Sequence, residues 1–164
     1  PEDALIEDPV VFKYVRDYLS RIEIIKEGSK HKLSDTVSFE TPLKHQHPSE
    51  TYGINFFTPK YTISLIVDTR YFPELLKYYK GDVLIINVVR YNADKDTQKW
   101  LYHLTIKDVK EIVTTLKPKV TILNHFGMTM IKAQPHLVAE KLSDETGLKI
   151  LAAGDGMKFY LTSI

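Results

Sequence analysis

Val120-Thr121-Ile122-Leu123-Asn124-His125 is an apolar, β-branched run that ends on an imidazole. Its length and composition predict a buried strand over 119–124, with His125 just past the strand's carboxyl end. An earlier run has the same construction: Ile63-Ser64-Leu65-Ile66-Val67 stops at Asp68. Open α/β sheets place their chemistry outside the carboxyl ends of their strands, so both terminal residues are candidates for a site. A third candidate, His47, lies in Lys44-His45-Gln46-His47-Pro48, ahead of the strand pair that leads to Asp68. All three side chains are of metal-binding type.

Working outward, Asp82 to Asn87 reads as a further strand. Its uninterrupted apolar run, Val83-Leu84-Ile85-Ile86, suits a sheet covered on both faces. Gly53–Phe57 and Tyr61–Val67, separated by Thr58-Pro59-Lys60, predict a hairpin. Thr105 to Leu116 reads as a helix capped by Thr105, with Asp108 in the capping-box position. Pro135 to Thr146 reads as a helix stopped by Gly147. A short helix is expected from Pro73 to Tyr79, and closing strands at 149–152 and 158–161. At the other end, Asp8-Pro9 starts a helix whose stripe is Val10, Val11, Tyr14, Val15, Tyr18, Leu19 and Ile22. Ile22–Ile25 and Thr36–Phe39 read as strands, Glu27–Lys30 as a turn, and 90–102 as a polar surface excursion carrying Trp100. Strands come first and strand–helix alternation later, so the class is mixed α/β with helices packed on sheet.

With 164 residues, 43% of them hydrophobic, the chain can bury one core, and a single unit over 1–164 is expected. The 22 basic and 21 acidic side chains give a net charge of +1, which supplies no argument for nucleic acid or an anionic membrane. There is no cysteine. Disulfides, thiolate zinc sites and a cysteine nucleophile are excluded, and any zinc must be held by imidazole and carboxylate. No apolar run approaches the ~20 residues of a membrane span. No signal peptide opens the chain, so a cytoplasmic domain without a membrane partner is expected. Pro1-Glu2-Asp3-Ala4 resembles the interior of a polypeptide, and the only methionines are Met128, Met130 and Met157. A fragment of a longer protein is expected.

Among the six histidines, His31 and His136 read as solvated or packing side chains. His45 and His47 would share one face of a strand, although Pro48 argues against regular strand geometry. Asp68 must be exposed, hydrogen-bonded or ion-bound, and a turn with Thr69 accounts for it as well as a metal does. His103 stands at the mouth of the Thr105 helix, where it could cap locally or act as an acid. Together, imidazole and carboxylate suit zinc, manganese or iron, and aspartate can bridge two ions. Such a pair would polarise a substrate oxygen and acidify a shared water into a nucleophile. His47, Asp68 and His125 are too few ligands to hold it alone.

The order of motifs is His47-x-x-x-x-Tyr52-Gly53, Asp68-Thr69, Asp82–Asn87, His103-Leu104-Thr105, Ile122–Gly127 and Ala153-Gly154-Asp155-Gly156-Met157. From about Asp35 onward it resembles the C-terminal half of a metallo-β-lactamase-fold metal-dependent hydrolase. The resemblance is closest to the branch with tRNA 3′-processing ribonucleases and phosphodiesterase-like hydrolases. It implies an αββα sandwich of two mixed sheets flanked by helices, with two metal ions, zinc foremost, at one sheet edge. It further implies His47 as ligand to one ion, Asp68 as bridge, His125 as ligand to the second, and His103 as proton donor to the leaving group. His45 matches no family ligand and is expected to support one. The family's H-x-H-x-D-H loop does not occur here, so the N-terminal half of the same protein is the expected partner.

Two functions follow as expectations. The first is a hydrolase acting on an ester or phosphodiester of a small molecule. A ribonuclease-type activity is less favoured, since Lys77, Lys80, Lys117 and Lys119 with Tyr78 and Tyr79 read more readily as solvated helix faces than as a nucleic-acid platform. The second is a non-catalytic α/β binding domain without a complete metal site.

Overall fold

The apolar runs pair with their sequence neighbours to build one sheet. The computed structural model describes residues 11–92 and 102–164. Seven strands lie in sequential order: β1 (Ser29–Lys32), β2 (Ser38–Thr41), β3 (Ile54–Phe57), β4 (Thr62–Ile66), β5 (Val83–Asn87), β6 (Val120–Asn124) and β7 (Ile150–Ala152). The first four pair antiparallel, whereas β4 to β7 are parallel. Parallel neighbours need crossovers, and helices supply them. Counting from α1 (Lys13–Arg16) near the start, α2 (Leu75–Tyr78) lies between β4 and β5 and α3 (Ile106–Leu116) between β5 and β6. α4 (Met128–Lys132) and α5 (Pro135–Thr146) lie between β6 and β7. This is the mixed α/β class that the sequence predicts.

Alternation along the strands separates two faces. Ile66, Leu84, Ile86, Leu123 and Ile150 pack with Leu75 of α2, Val109, Ile112 and Val113 of α3, Met130 of α4, and Val138, Ala139 and Leu142 of α5. Fully burying each of the Val, Leu, Ile and Met side chains among them contributes about 1.5–3 kcal/mol, so this layer dominates the stability. Val83, Val120 and Ile122 point the other way, against Ile63, Ile85, Leu151, Phe159, Leu161 and Ile164. Among the described residues no α-helix joins that second cluster. The unbroken apolar run of β5 thus has a cause: its residues alternate between two cores.

Several expectations are corrected. Ile22–Ile25 forms no strand; Ile22 and Ile24 are exposed along irregular chain. The sheet edge is instead β1, within and beyond the expected turn, where His31 stacks on Phe39 of β2 at 4.8 Å. Cross-strand packing there outweighs the weak strand propensity of lysine and serine. Among the described residues the expected N-terminal helix is reduced to the single turn of α1, with Tyr14 and Tyr18 exposed. One turn without a packed face gains too little to propagate. Asp8, Pro9 and Val10 lie outside the described residues, as does Trp100. Residues 158–161 form no strand either; Phe159 and Leu161 anchor the chain end on the second face, and Leu161–Ser163 is a 3-10 turn.

α3 begins as its sequence dictates. The Thr105 Oγ1 accepts from the Asp108 amide at 3.3 Å, and the Asp108 carboxylate accepts from the Thr105 amide at 2.8 Å. Ile106 N also donates to Arg90 O at 3.1 Å, tying the helix start to the chain leaving β5. His103, two residues before the cap, is placed by this double anchor. Thr105→Ala is expected to cost about 1 kcal/mol in chemical denaturation. An unchanged midpoint would show that the cap does not hold the helix start.

Candidate metal centre

The parallel register brings the ends of β4, β5 and β6 to one edge: Ile66 pairs with Ile86, and Asn87 with Asn124. Asp68 and His125 follow the first and last of these strands. Both adopt left-handed backbone, Asp68 at φ 39° and His125 at φ 56°. Such conformations are uncommon for residues other than glycine and persist only where surrounding bonds enforce them. Around His125 the enforcement is visible. Val88 N donates to Asn124 O at 2.9 Å, and Gly127 N to Val89 O at 3.1 Å, so the chain is pinned on either side. A Cβ at Gly127 would overlap Val89, which requires glycine at that close approach.

The Asp68 turn is fastened to the histidine segment. Thr51 Oγ1 donates to Asp68 O at 3.2 Å, Gln46 N to Thr69 Oγ1 at 3.1 Å, and Arg70 N to Gln46 O at 3.3 Å. His45 does not share a face with His47; it is buried, and the segment is not a regular strand. His45 Nδ1 lies 2.5 Å from Val67 O and its Nε2 lies 2.8 Å from the Tyr79 hydroxyl. A carbonyl can only accept, so Nδ1 carries the proton, Nε2 accepts, and Tyr79 donates. Burial pushes the His45 pKa down to about 4, against the opposing pull of the Val67 carbonyl and Asp68. The neutral ring is therefore a bracket between α2 and the residue preceding Asp68. A Cβ at Gly53 would overlap both the Tyr79 hydroxyl and His45 Nε2, so this bracket needs glycine there.

Four predicted side chains converge at this edge. His125 Nδ1 is 2.9 Å from Asp68 Oδ1, and His103 Nδ1 is 3.7 Å from the same oxygen. The His103 ring lies 5.3 Å from the His47 ring and 5.3 Å from the His125 ring, centroid to centroid. Burial holds the His103 pKa below the ordinary imidazole value; Asp68 opposes that shift, while His125, His47 and Arg90 reinforce it. Asp68 Oδ1 and His103 Nδ1 are buried and have no hydrogen-bond partner. Orphaned polar atoms of this kind cost about 1–3 kcal/mol each and call for an explanation.

A cation supplies one. Two ligands on a tetrahedral zinc, each about 2.0–2.1 Å from the ion, stand roughly 3.3 Å apart. The Asp68–His125 contact is close to that spacing, and the donor types are those zinc, manganese or iron accept. The fit stops at that pair: among the described residues no group of three His, Cys, Asp or Glu side chains is disposed to hold a metal ion. His47 Nδ1 accepts from Ser49 N at 3.2 Å, so that ring presents its other nitrogen, Nε2, as the free donor atom only when Nδ1 takes up the proton and the bond breaks. His31 and His136 lie elsewhere: His31 Nδ1 bonds Glu23 at 2.7 Å, and His136 is exposed at the start of α5.

No family model matches the chain. An uncharacterized protein of Methanocaldococcus jannaschii is 31% identical over 157 residues, which are 93% of this chain and 56% of that protein. Among solved structures, the metallo-β-lactamase-fold protein YhfI of Bacillus subtilis superposes with a TM-score of 0.67 at 16% identity, covering 81% of this chain and 53% of the other. A diphosphatase of the PhnP family gives 0.62 at 22% identity, covering 91% and 53%. The short form of human tRNase Z gives 0.55 at 16% identity, covering 78% and 44%. The chain has a metallo-β-lactamase fold. It spans about half the length of these proteins, a share consistent with the expected C-terminal half of a metallo-β-lactamase-fold unit.

Sequence reasoning missed the partners of the site in this fold. Tyr79, read as a surface aromatic, is buried and holds His45; its spacing of four from Leu75 was the available signal. Arg70, to which the sequence assigns no role, bonds Gln46 and covers Tyr102. No local pattern announces that. His125→Gly is expected to leave stability unchanged or raise it by about 1 kcal/mol, because glycine relieves the left-handed strain. A urea denaturation curve checks this, and a loss above about 2 kcal/mol would show that the ring is needed for packing.

Proposed function

We propose that this chain forms part of a metal-dependent hydrolase of the metallo-β-lactamase superfamily. The single observation that carries the reading is Asp68 Oδ1, buried without a hydrogen bond and faced by two imidazole nitrogens at 2.9 and 3.7 Å. In this reading His47, Asp68 and His125 would be the chain's own metal ligands, His47 toward one ion, His125 toward a second and Asp68 toward both. Zinc is the preferred ion, with manganese or iron as alternatives. The metals would polarise the substrate oxygen and lower the pKa of the attacking water.

The chain's own residues set the rest. Fixed turns hold Asp68 and His125 so that no reorganisation is needed when the substrate binds. His103, largely shielded from solvent and beside Asp68, would give a proton to the leaving oxygen, from a protonated form that burial makes the minor one near neutral pH. The substrate in this reading is a small-molecule ester or phosphodiester. Burial of Tyr79 removes half of the aromatic pair that a nucleic-acid platform would have used. The remaining donors would come from an upstream segment of the same polypeptide carrying H-x-H-x-D-H. That segment would cover the second sheet face, where Ile63, Ile85 and Leu151 are half-buried and no described α-helix packs.

The incomplete cage favours a second reading, a binding domain without a catalytic metal. Elemental analysis of the full-length polypeptide separates the two. In the hydrolase reading the wild type holds metal, and Asp68→Ala loses most of it while circular dichroism is unchanged. Full occupancy in that variant would rule out the bridging role. His103→Ala is expected to retain metal and lose roughly a hundredfold or more in turnover, the usual size of a proton-transfer contribution. Loss of metal in that variant would make His103 a ligand instead.

A further inference from the structure

We propose that Arg70 is a substrate-binding residue that takes a phosphoryl oxyanion of the substrate at the rim of the metal edge; this rests on the hydrolase reading above. Three contacts locate it. Its backbone follows Asp68 by two positions. Its Nε donates to Gln46 Oε1 at 2.7 Å, and Gln46 precedes His47. Its guanidinium lies over the Tyr102 ring at 5.3 Å, and Tyr102 precedes His103. One cation is thus tied to the immediate neighbours of His47 and His103 and stands two residues from Asp68.

The side chain is exposed, yet it is held. Gln46 occupies one N–H and Tyr102 supports the plane, which leaves the terminal nitrogens of the fork free to bond two oxygens side by side. Some other surface cations of this chain face carboxylates, as Arg21 faces Glu23, Lys110 faces Glu145 and Lys119 faces Asp82; what sets Arg70 apart is that its side chain is held by Gln46 and Tyr102. Among the described residues Arg70 has no carboxylate within ion-pair distance. A guanidinium that is fixed in place but lacks a counter-anion is pre-organised for an external one, because the freedom its binding would cost is already lost. Paired N–H donors of this kind match the oxygens of a phosphoryl group.

The alternative is that Arg70 only staples the Gln46 segment to Tyr102. Arg70→Met keeps the apolar stem on Tyr102 and removes the fork; Arg70→Lys keeps the charge alone. In the full-length, metal-loaded protein, Arg70→Met is expected to raise KM for bis(p-nitrophenyl) phosphate tenfold or more. Turnover of the neutral p-nitrophenyl acetate should stay within about twofold and metal content should be unchanged, with Arg70→Lys intermediate. An equal loss on both substrates, or loss of metal, would make Arg70 a staple and overturn the proposal. Calorimetric titration with inorganic phosphate tests the same contact without turnover. Binding weakened at least tenfold by Arg70→Met supports the assignment, and equal affinity in both proteins or no binding by wild type overturns it. Failure of the hydrolase reading appears separately, as absence of metal and of turnover in the wild type.

Discussion

The register of three parallel strands is the constraint on which the rest depends. β5 pairs with β4 on one side and β6 on the other, and this brings the turns carrying Asp68 and His125 to one edge, where the two side chains stand 2.9 Å apart. A slip of one residue in either ladder would turn every side chain to the opposite face. Such a slip is opposed by the cores on both sides, since β5 sends Leu84 and Ile86 into one and Val83 into the other. Apolar burial therefore fixes the position of polar atoms that contribute nothing to it.

The two turns after β4 and β6 are held by different means. His125 is fixed by continuation of the sheet bonds past the ends of the strands and by the close passage of Gly127 over Val89. Asp68 is fixed by side chains: the His45 bracket beneath Val67, the Thr51 hydroxyl, and the Gln46–Thr69–Arg70 bonds. His47 is carried on the same fastened segment. The carboxylate and the first imidazole are therefore fastened to each other through side chains, whereas the second imidazole is fastened to the sheet.

Much of this is legible in the residues. The hairpin, the two crossover helices with their caps, and the strands ending at Asn87 and Asn124 follow from period and capping chemistry, which are local. Asp68, His103 and His125 stand out because each interrupts an apolar pattern at an element's mouth. What escapes is whatever depends on contacts between distant segments. The strand expected at 22–25 finds no neighbour to pair with, while the hydrophilic β1 does because His31 meets Phe39 across the ladder. His45 looks like a twin of His47 and is instead a buried bracket, a distinction made by Tyr79, 34 positions away in the chain.

Unmatched polar atoms are concentrated rather than spread through the molecule. Among the described residues seven buried side-chain atoms have no hydrogen-bond partner, and five belong to Asp68, Asn87, His103 and Asn124 at the carboxyl edge. At the opposite end of the same strands Asp82 accepts from Thr62 N at 2.9 Å and pairs with Lys119 at 3.1 Å, so polarity there is matched within the chain. A sheet that merely tolerated poor packing would scatter its orphans. Here the cost, about 1–3 kcal/mol for each group, is gathered where the strained turns meet. Asn87 and Asn124 are register partners and share a face, so their amides are unmatched on the side that bears no described α-helix.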